Sequence, residues 1–229
     1  RRYFIGNVYN AQCDLGNGNP VVPVPLTARQ WLVVRYAGVK APGNAYVQTL
    51  GNASKSVTGP AAMGVTSDSL WIAYYSTSSH LRVERLNPNN LSTLIGDEAT
   101  GQAFISATTS LGLAVFDVVP HPTRDRLYLA ASIFDPKSTW RAETIPNFNQ
   151  STILIFTFEA STLKLLAVGM LPSTGIGKYG SQMALIDDRL IVSGQCTATP
   201  PDAWAEPLCS PTPTPAGQDQ SFIFSTAAP

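Results

Sequence analysis

The sequence predicts an all-β protein, and three features carry that prediction. Apolar, β-branched and aromatic residues come in short runs closed by Gly, Pro, Asn or Asp, which is how strands and their turns are written. Helical periodicity is scarce along the whole chain. One phrase, a polar turn leading into a strand that opens on Leu, is written three times: "SDSLWIAYYS" from Ser67, "RDRLYLAAS" from Arg124 and "DDRLIVSGQ" from Asp187.

Taken in order, strands are expected at 3–8 and 31–36, with 45–50 following the Pro42-Gly43-Asn44 turn. A second group falls at 70–75 and 81–86, and a third at 115–119, 127–132, 152–158 and 165–169. The last comprises 182–186, 190–193 and 221–225. Aligned on Leu70, Leu127 and Leu190, the copies are 57 and 63 residues apart, and each has a short apolar piece upstream ("AAMGV", "VFDVVP", "SQMALI"). Downstream, "HLRVERLNPNNLSTLIG" and "TILIFTFEASTLKLLAVG" match position for position, Val83 with Ile155, Leu86 with Phe158 and Leu91 with Leu163. The unit is therefore strand, turn, strand, loop, strand, turn, strand. Repeated at this interval it predicts blades of a β-propeller, because one such sheet cannot bury its faces alone.

The expectation is a single domain over residues 1–229: a propeller-like array of about four four-stranded antiparallel blades, either a small ring or a piece of a larger one. The alternative is a β-sandwich, which also needs many short strands.

The phrase "HPTRDRLYLAA" resembles the turn-and-strand phrase of the YVTN and lactonase-like β-propeller families, over some three blades of this chain. The resemblance implies the propeller fold. Blade lengths are irregular here and the usual Asp-Gly is missing, and a degenerate phrase says little about activity. A lactonase of that kind would hold a metal through carboxylate and Asn ligands from several blades. No residue is assigned to such a site, and no cofactor is implied.

Charged residues make up only 13 % of the chain and the formal net charge is zero. Without a basic stripe the chain is not expected to bind nucleic acid. No apolar run approaches the ~20 residues of a membrane-spanning helix. There is no initiator Met and no signal peptide, so the chain reads as a processed product or part of a longer one. Three Asn-X-Ser triplets, at Asn52, Asn90 and Asn149, are candidate N-glycosylation sites in a secretory compartment. Cys196 and Cys209 bracket a Pro/Thr-rich segment, within a loop over 197–220, that a disulfide could staple. Cys13 is then free or paired elsewhere, and a Cys13–Cys196 bridge is the competing arrangement. "CSPTPTPAG" should be extended; it resembles the Ser-Pro and Thr-Pro tracts of hydroxyproline-rich glycoproteins in algal and plant matrices.

Reactive constellations are few. His121 could serve a Ser-His-Asp site with Asp117 or Asp125, yet no Gly-X-Ser-X-Gly elbow supports it, and His-Pro reads as turn punctuation before a strand. His80, the other histidine, precedes the strand expected at 81–86. "GIGKYG" at 175–180 has the spacing of a dinucleotide loop but precedes strands rather than a helix, and "LPSTG" at 171–175 lacks the apolar tail of a sorting signal. Asp187-Asp188 reads as a turn, and Asp97-Glu98 carries no further signal. Trp31 and Trp71 belong to strands. Trp140 and Trp204 lie in polar loops and are candidate contacts for a partner or a sugar ring.

No catalytic, cofactor or metal residue is therefore expected. A structural or adhesive ectodomain of a secreted or cell-surface glycoprotein comes first, contacting other extracellular proteins or copies of itself through loops 135–150 and 197–220. A hydrolase of the lactonase type and a carbohydrate-binding module are the other two readings.

Overall fold

A computed structural model describes residues 2–9, 13–14, 20–21, 29–36, 45–50, 61–77, 80–95, 104–106, 114–132, 139–140, 143–144, 153–170, 182–197 and 219–227. Among them every regular element is a strand, and every pairing is antiparallel.

The first sheet holds β1 (Arg2–Tyr9), β4 (Arg29–Tyr36) and β5 (Ala45–Leu50), with a small hairpin of β2 (Cys13–Asp14) and β3 (Pro20–Val21) between β1 and β4 in the chain. The second runs β6 (Ala61–Val65), β7 (Leu70–Thr77), β8 (His80–Leu86), with β9 (Thr93–Ile95) and β10 (Phe104–Ser106) both paired to β8. The third is a four-stranded meander, β11 (Ala114–Pro120), β12 (Leu127–Ser132), β15 (Ile153–Glu159) and β16 (Lys164–Met170). Its central connection contributes β13 (Thr139–Trp140) and β14 (Glu143–Thr144), which extend the second sheet through β10. The fourth sheet holds β17 (Gln182–Ile186), β18 (Arg189–Thr197) and β19 (Asp219–Ala227). The second and third sheets thus have the expected four strand positions; the first and fourth have three among the described residues.

The sheets follow one another in chain order through their first strands: β1 lies beside β6, β6 beside β11, and β11 beside β17. That succession is propeller-like, and a two-layer sandwich does not have it. Leu70, Leu127 and Leu190 occupy one station, the start of the second strand of three successive sheets, and each is 0 % exposed. Residues 70–74 of β7, 127–131 of β12 and 154–158 of β15 are buried without a break. Sheets covered on both faces take apolar residues at nearly every position, so these strands read as near-continuous runs rather than alternations, with buried Thr157 the exception. In β17, by contrast, Met183 is buried between exposed Gln182 and Ala184, the pattern of a sheet covered on one face.

One core joins the first three sheets. Leu70, Ile72, Val83 and Leu86 of the second pack with Leu127, Leu129, Phe156 and Phe158 of the third, and Val33 of the first completes the cluster. Full burial of such a side chain is worth roughly 1.5–3 kcal/mol. Second and third sheets meet tightly at Gly64, where an added Cβ would lie 2.5 Å from both Pro120 Cδ and the Val118 carbonyl oxygen. First and second sheets are joined by the Tyr3 hydroxyl, which donates to the Pro88 carbonyl at 2.9 Å, and by Arg35, which donates to the Asn89 carbonyl.

Candidate functional site

The turns joining first to second strands in the last three sheets lie at 66–69, 121–126 and 187–188, and the third-to-fourth-strand turns at 87–92 and 160–163 share that end of the array. Each of the first three turns carries an Asp two residues before the aligned Leu: Asp68, Asp125 and Asp188. This register is legible in the sequence beside the aligned leucines.

The three carboxylates bind different partners. Asp68 stays within its sheet: Oδ1 accepts from the Thr66 hydroxyl at 2.7 Å and the Ser69 hydroxyl at 3.2 Å, and Oδ2 lies 3.3 Å from Arg85 Nη2. The Thr66 bond foremost holds its carboxyl below the usual carboxylate range. Asp125 ties two turns of one sheet, accepting from the Ser161 amide at 2.6 Å and the Ser161 hydroxyl at 2.5 Å. Asp188 crosses between sheets. Its Oδ1 lies 3.0 Å from His121 Nε2, and Arg124 donates to its Oδ2.

His121 is 6 % exposed. Its Nδ1 accepts the backbone N–H of Thr123 at 3.2 Å and of Arg124 at 3.0 Å. The hydrogen therefore sits on Nε2 and is donated to Asp188. Neither Asp117 nor Asp125, the two candidate triad partners, bonds to this ring. Both nitrogens fold the 121–126 turn and dock it on the next sheet, so the punctuation reading of His-Pro gains a second duty.

Asp117 does similar work deeper in. It stands at an irregularity in the β11–β12 register, accepts the Val118 N–H at 2.8 Å, and reaches across to the Met183 N–H of β17 at 2.7 Å. Burial pushes its carboxyl above the usual range, and the two N–H donors offset part of that.

Between the 66–69 and 121–126 turns lies a cavity of about 250 Å³. Its lining includes Asp68, Arg85, Arg124, Asp125 and Arg126, with Ala160 on one wall. Trp71, 2 % exposed, also lines it, with the Arg85 guanidinium carbon 5.4 Å from the ring centroid. Among the described residues no group of three His, Cys, Asp or Glu could hold a metal ion.

The other expected site residues fall as follows. Asn90 is exposed in the 87–92 turn, its Oδ1 accepting from the Ser92 N–H at 3.0 Å and hydroxyl at 2.9 Å. Asn52, Asn149, Trp204, Cys209, Asp97, Glu98 and the 171–180 segment lie outside the described residues. Cys13 is in β2 and Cys196 in β18, and only their backbones are described, so the disulfide pairing stays where the sequence left it. Only the backbones of His80 in β8 and Trp31 in β4 are described as well. Trp140 is not in a loop: its backbone is in β13, paired with Ile105. A two-residue strand gets its stability from a partner distant in sequence, and no local pattern announces it.

No family model matches the chain, and no curated protein matches it. Among solved structures it is similar to a subtype N10 neuraminidase-like protein of A/little yellow-shouldered bat/Guatemala/060/2010, at 11 % identity and a TM-score of 0.43. The alignment covers 72 % of this chain and 43 % of that one, so it spans less than half of the neighbour. Among the described residues no helix is long and apolar enough to cross a membrane.

Proposed function

We propose that the chain is a non-catalytic structural or adhesive ectodomain of a secreted or cell-surface glycoprotein, acting through protein–protein or self-assembly contacts. One observation carries this reading. The second-to-third-strand connections of the last two sheets start at Ser132 and Thr197 and return at Ile153 and Asp219. The turns at the other end touch through His121 and Asp188, so both connections attach at the end away from them. A nine-residue strand such as β18 separates the two ends by roughly 30 Å. The array then acts as a stiff mount: short turns lock sheet to sheet at one end, and the long connections attach at the other, the first of them lending β13 and β14 to the second sheet. The low charge, the three Asn-X-Ser triplets and the Pro/Thr-rich segment favour an extracellular setting. A Cys196–Cys209 bridge would close the first half of the second insertion.

The test compares the glycosylated chain with a variant in which residues 198–218 are replaced by a short Gly/Ser linker, and with Trp204→Ala. Self-association is followed by sedimentation, and sugar binding on a glycan array. Loss of association in the linker variant supports the adhesive reading. Loss of glycan signal on Trp204→Ala favours a carbohydrate-binding module instead. Unchanged association, or turnover of a lactone panel with a stoichiometric metal, overturns the proposal.

A further inference from the structure

The cavity between the second and third sheets has an imbalance of hydrogen-bonding groups. Its acceptors are already engaged. Asp68 takes the hydroxyls of Thr66 and Ser69 and faces Arg85, both oxygens of Asp125 are bonded to Ser161, and His121 Nδ1 holds two backbone N–H groups. Its donors are in surplus. Arg126 spends Nη1 on the Asp125 carbonyl at 2.9 Å and is in no ion pair among the described residues; Arg85 spends Nε on Ser69 Oγ at 2.7 Å and Nη2 on Asp68; Arg124 spends Nη2 on Asp188. A guanidinium carries five N–H groups in a fixed fork, so each of the three has donors beyond these bonds. The buried Trp71 beside Arg85, with the Arg85–Ser69 bond, holds one fork in place before any ligand arrives. One pre-set guanidinium fork with two further arginines beside it, satisfied carboxylates and a cavity of about 250 Å³ describe a receptor for an acceptor-rich, negatively charged group.

We infer that this cavity binds a single oxyanion group, a carboxylate or a sulfate or phosphate ester, with Arg126 as its principal ligand and Arg85 and Arg124 beside it. The site is at the end of the array opposite the long insertions, and it does not depend on the adhesive reading.

The test is an NMR titration of the intact chain, following arginine side-chain N–H signals. Sodium sulfate or sodium acetate replaces chloride at constant ionic strength. One-site saturation is expected, weakened at least about fivefold by Arg126→Gln, since a charge-assisted fork is lost. Arg126→Lys should fall between the two, keeping the charge without the fork. Arg189→Gln is the control: Arg189 bonds to Ser225 on the fourth sheet, outside the cavity, and makes the same change in net charge. Its titration should match the unaltered chain. Sulfate binding alone assigns the site to tetrahedral esters, and acetate binding alone assigns it to carboxylates. Shifts that never saturate with either anion overturn the inference, as does equal weakening by Arg126→Gln and Arg189→Gln, or no weakening by Arg126→Gln.

Discussion

Leu91 and Leu163 are the same residue written twice. Both adopt left-handed backbone, at φ 61° and 55°, and both are 0 % exposed. Each donates its N–H at 2.8 Å to the carbonyl four residues earlier, Asn87 in one copy and Glu159 in the other. Left-handed backbone costs a branched L-residue roughly 1–2 kcal/mol, and burial of the side chain outweighs that cost at both turns.

The opposition sets up a substitution test. At an ordinary site a Gly variant is less stable than the Ala variant, because Gly loses more chain entropy on folding. At position 163 both variants lose the buried side chain, about 2–5 kcal/mol, but only Gly is relieved of the strained φ. Leu163→Gly should therefore be as stable as Leu163→Ala, or more so, in urea unfolding, and Leu91 should repeat the result. An ordinary Gly penalty at both positions would mean that the backbone strain is not what sets the cost.

Gly64 tests how tightly the second and third sheets are pressed together. An alanine methyl there meets Pro120 Cδ and the Val118 carbonyl oxygen at 2.5 Å, and a backbone atom cannot swing away as a flexible side chain can. Gly64→Ala should destabilise the protein by about 1–3 kcal/mol, the usual cost of overpacking. Pro120→Ala in the same background should recover part of the loss by removing one of the two colliding atoms. No recovery would place the strain at Val118 alone.

How the sequence relates to this structure varies with distance along the chain. Leu91 and Leu163 were recognisable as counterparts, and the strands at 45–50, 127–132 and 182–186 were bounded correctly, because the signal for each is local. The docking bonds were not legible. His121 finds Asp188, and Asp117 finds Met183, across more than sixty residues, and no periodicity encodes which turn will lie beside which. Trp140 shows the same limit from the other side. Its stretch reads as a polar loop because the strand it joins, β10, belongs to the previous sheet.

Asp187 and Asp188 form a two-residue hairpin turn with positive φ at both positions, 48° and 59°, a geometry that favours Asn-Gly or Asp-Gly. The second Asp is kept in a position suited to Gly, and its bonds to His121 and Arg124 give the reason. Asp187→Gly should leave stability unchanged or raise it by up to about 1 kcal/mol. Asp188→Gly relieves the same backbone but strips a buried imidazole N–H of its acceptor, so it should lower stability by about 1 kcal/mol. Thermal unfolding of the pair separates these effects. Equal outcomes would show that the inter-sheet bonds contribute nothing.

Acid stability should carry two opposing contributions, from Asp68 and Asp117. The folded-state pKa of Asp68 lies below the ordinary aspartate value of 3.8, so its stabilising contribution is complete above that value and is lost as pH falls below it, through the folded pKa. The folded-state pKa of Asp117 is raised above 3.8 by burial. The folded protein then takes up a proton before the unfolded chain does, and stability from this group rises as pH falls from the raised value toward 3.8. Urea midpoints measured from about pH 7 to about pH 3 should show the acid-side loss softened in Asp68→Asn. Asp117→Asn should lose the gain that precedes it. Asp117→Asn also sets an amide NH₂ against the Val118 or Met183 N–H, so its midpoint should be lower at neutral pH even though a buried charge has been removed. A profile in which Asp68→Asn steepens the acid limb would reverse the assignment of the two carboxylates.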